Sequence, residues 1–275
     1  MPNQATFFAC LKPAAMALLA ALTFCTNAWA KPDNGMQCLL KAYPTLIRAI
    51  DGQDLLLVDG SRLPYGKGTG KDTGGNFEAR LNSADLNDQM SQCYPGSFPA
   101  SGPALNDDPG RLRYEAFFLR LYGASSSAVR SNLRPVMWTP AAQSVQFTGV
   151  GGADQALSRV AKAIAARPEL VPLVARLAGT FNWRPIQGTT RMSSHSFGAA
   201  IDFQLPANLG KYWLWAGCKP GGPCRYPDAV LAHPGLQEVV RIFEANGFIW
   251  GGKWHHFDTL HFEYRPELLV PECAC

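Results

Sequence analysis

The apolar positions after residue 110 alternate between helical and strand-like spacing. Leu112, Ala116, Leu119 and the Phe117–Phe118 pair predict a helix with one buried face that ends at Gly123. Asp108-Pro109 offers that helix an N-cap and an N1 proline. Val136-Met137-Trp138 and Val145-Gln146-Phe147 predict short strands, and Ala153–Ala166 and Pro168–Leu177 predict two helices. Ala200–Leu205 reads as a strand. Pro234–Asn246 reads as a helix, with Gly247 as the residue just past its end. Phe248-Ile249-Trp250 and His261–Tyr264 complete the set as strands. The sum is an α+β chain whose C-terminal half is built on an antiparallel sheet with flanking helices.

The stretch before residue 110 reads differently. Leu55-Leu56-Leu57-Val58 followed by Asp59-Gly60 is a strand running into a turn. Glycines crowd residues 66–75. Gly70-Lys71 suggests a phosphate-binding loop only superficially, because Tyr65 stands where its first glycine belongs and Asp72 where Ser or Thr should follow the lysine. A flexible loop is expected there. Pro95–Pro109 is a Pro/Gly/Ser/Asp linker. The chain therefore divides into a loop-rich N-terminal lobe over 31–109 and a domain over 110–275.

Residues 1–30 stand apart. They hold one base, Lys12, and no acid; an apolar run from Ala14 to Cys25 leads to Ala28-Trp29-Ala30. This is the layout of a secretory signal peptide cleaved before Lys31. The run falls short of the ~20 residues that a bilayer-spanning helix needs. An exported chain, periplasmic or secreted, with no membrane span after cleavage is expected. The cysteines beyond the signal are Cys38, Cys93, Cys218, Cys224, Cys273 and Cys275, an even set that reads as disulfides in an oxidising compartment. Cys218 and Cys224 flank a turn-rich loop and are expected to pair. Cys273-Ala274-Cys275 is too tight for a zinc knuckle.

The composition, 47% hydrophobic and 17% charged, excludes a disordered chain. Net charge is +4 and no two basic residues are adjacent, which argues against nucleic acid as a partner. All histidines follow residue 194, and most fall in two polar clusters, 193–202 and 250–263. A catalytic zinc needs three N/O ligands, an open position for water and an uncoordinated carboxylate to take the proton from that water. His195, Asp202 and His261 can be the ligands and Asp258 the base. Gly198 permits a tight bend after His195, so that the chain returns as a strand carrying Asp202. His233 precedes Pro234 and reads as a helix-boundary residue. His256 reads as structural or as an extra donor, and Trp250 and Trp254 as core or cleft wall.

Taken together, Ser193-x-His195-x-x-Gly198-x-Ala200-x-Asp202 and Asp258-x-x-His261-Phe262 resemble the zinc D-alanyl-D-alanine carboxypeptidase family of metallopeptidases, which also includes L-alanyl-D-glutamate endopeptidases. Trp250-Gly251-Gly252-Lys253-Trp254 is similar to the subgroup whose base is Asp. Gly179–Arg184 resembles the segment carrying an active-site arginine. The resemblance implies a fold of the hedgehog/DD-peptidase type and a Zn2+ cofactor held by His195, Asp202 and His261. It implies Asp258 as general base, Arg184 as the group that stabilises the oxyanion, and Ser193 as a substrate-contacting or supporting hydroxyl. The substrates implied are peptidoglycan stem peptides. Carboxypeptidase and endopeptidase cleavage both stay open, as does a non-catalytic zinc-containing module that only binds peptide.

Overall fold

Among the described residues, helices and strands sort most of their apolar side chains onto two main cores, with two smaller clusters beside them. The computed structural model describes residues 34–66, 76–220 and 222–275. The proposed signal peptide and most of the glycine-rich loop lie outside the described residues. Elements run in the order α1 (Gly35–Ala42), β1 (Ile47–Asp51), β2 (Asp54–Leu57), β3 (Arg62–Pro64), α2 (Phe77–Ser83), α3 (Leu86–Met90), α4 (Glu115–Tyr122), α5 (Ser126–Asn132), β4 (Leu133–Trp138) and β5 (Gln143–Thr148). They continue with α6 (Ala153–Ala165), α7 (Val171–Val174), β6 (Leu177–Gly179), β7 (Ala200–Phe203), α8 (Asp228–Leu231), α9 (Pro234–Glu244), β8 (Phe248–Trp250) and β9 (His261–Tyr264). The architecture is mixed α+β with small antiparallel sheets: β1-β2-β3, the hairpin β4-β5, and a sheet ordered β6-β7-β9-β8.

The last sheet positions the site. Ile201 pairs with Phe262, Phe248 with Tyr264 and Trp250 with Phe262, so these side chains share one face. Period-2 alternation sends them, with Phe203, into the core beneath α6 and α9. The buried side chains of α6 (Ala153, Ala156, Leu157, Val160, Ala161, Ile164) recur at helical spacing and meet that face. Phe243 of α9 stacks on Phe262 with ring centroids 4.0 Å apart. Each such fully buried aromatic contributes about 2–3 kcal/mol. Asp202 pairs with His261 and Ala200 with Glu263, so the opposite face is polar. A second core joins Leu39, Tyr43, Leu55 and Leu57 from the N-terminal elements to Phe117 and Phe118 of α4 and to Phe197.

Most of the expected elements form. β2 runs into its turn, β4 pairs with β5, and β8 and β9 keep their expected bounds. α9 ends at Glu244, and Gly247 follows with φ 88° and its N–H on Glu244 O. Three elements differ. α4 begins at Glu115, not at Asp108-Pro109. Tyr114 is its N-cap, and the Asp108 carboxylate turns to His256 instead. Leu112 is buried away from α4, with Phe77, Leu81 and Ala84. The helix expected over 168–177 shrinks to Val171–Val174, because Pro172 lacks an N–H and fits only a first turn, while Leu177 is drawn into β6. β7 stops at Phe203, and a turn opens at Pro206.

Cys218 and Cys224 form the expected loop disulfide. Cys38–Cys273 and Cys93–Cys275 join the N-terminal elements to the C-terminal tail. Among the described residues no helix is long and apolar enough to cross a membrane.

Candidate metal centre

Asp202 on β7 and His261 on β9 are direct cross-strand partners and project from the polar face of the sheet. His195 arrives from a short 3-10 turn over Ser194–Phe197. Ser193 caps that turn, its Oγ accepting the His195 N–H at 3.3 Å. Gly198 closes it at φ 62°, a left-handed conformation that favours glycine, and a Cβ there would lie 2.4 Å from Leu133 Cδ2. The chain then enters β7, which brings His195 over Asp202. His261 Nδ1 lies 2.8 Å from Asp202 Oδ1, and His195 Nε2 lies 3.1 Å from Asp202 Oδ2. One ligating atom from each residue falls within 4.8 Å of the other two.

The groups behind these side chains set which nitrogens face inward. His195 Nδ1 is 2.7 Å from Thr180 O, which can only accept, so Nδ1 carries the proton and Nε2 is bare. That Nε2 is buried and has no hydrogen-bond partner: it feels the charge of Asp202 without hydrogen-bond geometry. His261 Nε2 faces Glu263 Oε2 at 3.1 Å and Ser194 Oγ at 3.3 Å, which leaves Nδ1 toward Asp202. Glu263 is itself buried and gripped by Arg113 at 3.0 Å and Arg265 at 2.8 Å. Burial works to raise the Glu263 carboxyl, but Arg113, the His261 hydrogen bond and Arg265 hold it well below the usual range.

The electrostatics of the cluster favour a cation. Burial works to lower the His261 imidazole, yet Asp202 and Glu263 push it up to about 10. Burial likewise works to raise Asp202, but His261, through its charge and its hydrogen bond, and the nearby His195 imidazole hold it well below an ordinary carboxyl. A field strong enough to keep a proton on His261 also attracts a divalent ion. Two inward imidazole nitrogens and a carboxylate suit zinc or a related first-row ion better than calcium or magnesium. The buried, partnerless His195 Nε2 and this donor set both fit such a metal.

Asp258 lies on the approach to β9. Its N–H bonds Gly251 O at 3.0 Å, its carbonyl accepts from His261 N at 3.2 Å, and its Oδ1 accepts from Leu260 N at 3.3 Å. Burial pushes its carboxyl up to about 6; the Asp202 charge adds to the rise, while His261 and Arg111 oppose it. Asp258 therefore shares the electrostatic field of the cluster without joining it.

Arg184 is exposed, its Nη1 3.4 Å from Pro185 O. Its backbone is laced to the His195 turn: Arg184 N donates to Ser196 Oγ at 2.9 Å and Ser193 N donates to Arg184 O at 3.1 Å. Ser193 is buried, with its hydroxyl engaged in the turn. His233 caps α9, its Nδ1 accepting from Leu236 N. His256 pairs with Asp108, and Trp250 and Trp254 are buried. The Trp254 ring lies 5.7 Å from that of His261 and walls the cluster.

Sequence reasoning missed Glu263, Arg113, Arg265 and the Thr180 carbonyl. The His-x-Glu spacing on a predicted strand was a usable signal for Glu263, since residues two apart on a strand share a face. No comparable local signal marked the others.

A mixed α+β fold that brings His195 over Asp202 and His261 on one sheet face, with a carboxylate of raised pKa nearby, offers the groups that metal-assisted hydrolysis requires. Residues 187–264 match the family model for D-alanyl-D-alanine carboxypeptidase. The matched span takes in His195, Asp202, Asp258 and His261 and begins just after Arg184. It supports a peptidase of the D-alanyl-D-alanine carboxypeptidase-like family. No curated protein and no solved structure matches the chain.

Proposed function

We propose that this chain is an exported zinc peptidase that cuts peptidoglycan stem peptides, with a catalytic domain of the DD-peptidase type over 110–275 and a supporting lobe over 31–109. The observation that carries the reading is the convergence of two inward-facing imidazole nitrogens and the Asp202 carboxylate, with Thr180 O and Glu263 backing the two imidazoles on their far sides. His195, Asp202 and His261 would hold the ion. Bound there, zinc acts as a Lewis acid and makes water acidic enough to ionise near neutral pH.

Asp258 takes the proton from the attacking water and returns it to the leaving amine. Its raised carboxyl suits a group that must both accept and release a proton near neutrality, and a module that only binds peptide has no need of it. Arg184 supplies a permanent cation to the charge that develops on the scissile carbonyl oxygen. Ser193 holds the His195 turn and offers its hydroxyl side to the substrate. The three disulfides support an oxidising compartment, in line with export.

The test is the set of products formed from purified stem peptides, resolved by mass. Release of the terminal D-alanine identifies carboxypeptidase action. Cleavage between L-alanine and D-glutamate identifies the endopeptidase alternative. Hydrolysis should stop on chelation and return with zinc. A folded, zinc-loaded chain that binds stem peptides and releases no product would overturn the reading in favour of the binding module.

A further inference from the structure

A second carboxylate meets two imidazoles elsewhere in the fold. Asp108, His255 and His256 are all buried, and one ligating atom from each lies within 4.8 Å of the other two. Asp108 Oδ2 is 2.7 Å from His256 Nδ1, and Asp108 Oδ1 accepts the His256 N–H at 2.8 Å. His255 N donates to Asp107 O at 2.8 Å, so the two chain segments are held side by side. The imidazole rings stand nearly perpendicular, 84° apart, with centroids at 4.6 Å.

A simple Asp–His clasp accounts for the Asp108–His256 contact alone. It leaves His255 Nδ1 and His256 Nε2, both buried and both without a hydrogen-bond partner. Each buried nitrogen left unpaired costs about 1–3 kcal/mol. The first cluster likewise holds a partnerless imidazole nitrogen, His195 Nε2, beside the Asp202 carboxylate; here His256 turns Nδ1 to Asp108, so its orphaned Nε2 lies across the ring from that carboxylate. The surroundings are aromatic: Phe77 stacks on His256 at 4.2 Å and Trp213 meets it edge-on at 4.6 Å. The nearby charges are Asp107 and Asp108 against Arg111, whose Nη1 is engaged with His256 O at 2.7 Å. That balance leaves room for a cation.

We propose that Asp108, His255 and His256 form a second metal site, for a zinc-class divalent ion, that clamps the 107–113 loop to the 251–258 segment. Its role is structural. The loop carries Arg111, whose guanidinium lies 5.5 Å from the Trp254 ring centre, and Arg113, which grips Glu263 behind His261. An ion at Asp108 thus fixes the frame in which the first cluster sits.

The experiment is zinc content per chain of the purified, disulfide-intact protein after stripping with chelator, reloading with Zn2+ and desalting. His255→Gln should carry one ion fewer than the unsubstituted chain, and zinc should raise its melting temperature by less. His261→Ala, which leaves this cluster untouched, should still retain one ion. The proposal is overturned if His255→Gln keeps the full count, or if His261→Ala retains none. The second arm decides should His255→Gln fail to fold. Failure of the first site is separable, because it leaves the loss in His255→Gln intact while His261→Ala loses nothing.

Discussion

Glu263→Gln isolates the layer behind the proposed metal ligands. Glu263 sits on β9 two residues beyond His261, and both side chains leave the same face. Its Oε2 receives His261 Nε2 at 3.1 Å and Arg113 Nη1 at 3.0 Å; its Oε1 receives Arg265 Nη1 at 2.8 Å. Glutamine keeps the shape and has a single oxygen. Arg265 is fully buried and cannot retreat, whereas Arg113 is partly exposed and can swing outward. The amide oxygen therefore goes to Arg265 and the NH2 group to His261. An NH2 donor there requires a bare Nε2, which moves the proton to Nδ1, the nitrogen that faces Asp202. Loss of such a supporting group typically weakens a metal site by about 10–100-fold, or about 1.4–2.7 kcal/mol. Arg265 keeps Glu267 at 2.6 Å and Gly110 O at 2.7 Å, so the stability loss should stay below the roughly 3–5 kcal/mol of a buried pair broken outright. Zinc affinity is read by competition with a chromophoric chelator, and stability by thermal unfolding of the metal-free chain. Glu267→Gln is the control: it loosens Arg265 and Tyr43 without touching His261, and should lower stability at unchanged zinc affinity. A folded Glu263→Gln chain with zinc affinity within about twofold of the parent refutes the argument that the proton position on His261 is set from behind.

Other substitutions address the roles proposed at the site. Asp258→Asn should keep its zinc and lose about 10²-fold or more in turnover; near-normal turnover would place the base elsewhere. Asp258 works only when ionised and its carboxyl is pushed up to about 6, so activity should rise with pH through a limb no higher than that, because a bound cation lowers the value further. A limb clearly above neutrality in the pH–kcat/KM profile would contradict this. Arg184→Lys retains charge but loses the planar fork, and should lower kcat more than it raises KM at unchanged zinc content; a raised KM alone would make Arg184 a substrate-binding residue. Removing Cys38–Cys273 while Cys93–Cys275 remains opens a loop of roughly 60 residues and should cost about 4 kcal/mol, against about 2.5 kcal/mol for Cys218–Cys224. Denaturant unfolding of the two Cys→Ser pairs checks the order.

The parts of the fold legible in the sequence are those whose partners lie close along the chain or repeat with a fixed period. β8 and β9 keep their expected bounds because Phe248, Trp250, Phe262 and Tyr264 alternate onto one buried face. The Cys218–Cys224 staple spans only a short turn. The His195 bend rests on one glycine with positive φ. The other two disulfides join cysteines more than 180 residues apart, and no local pattern selects among the possible pairings. Arg113 reaches Glu263 across 150 residues, and the Thr180 carbonyl carries no side-chain signature at all.

The misread helix start at Asp108-Pro109 shows the physical reason most directly. By local chemistry Asp108 is a good N-cap, worth about 1 kcal/mol to a helix. Instead its carboxylate accepts a backbone N–H and pairs with an imidazole, both from His256, 148 residues away. Two bonds in a buried setting outweigh one exposed cap, so the helix waits until Glu115. The six residues released between them are then not idle. Pro109 O accepts from Trp254 Nε1, Gly110 O from Arg265, Arg111 bonds His256 O, and Arg113 bonds Glu263. The loop owes its shape to the two carboxylate–imidazole clusters it joins and not to its own propensity. For that reason a change at Asp108 should be felt at His261, through Arg113 and Glu263, although His195, Asp202 and His261 make no contact with it.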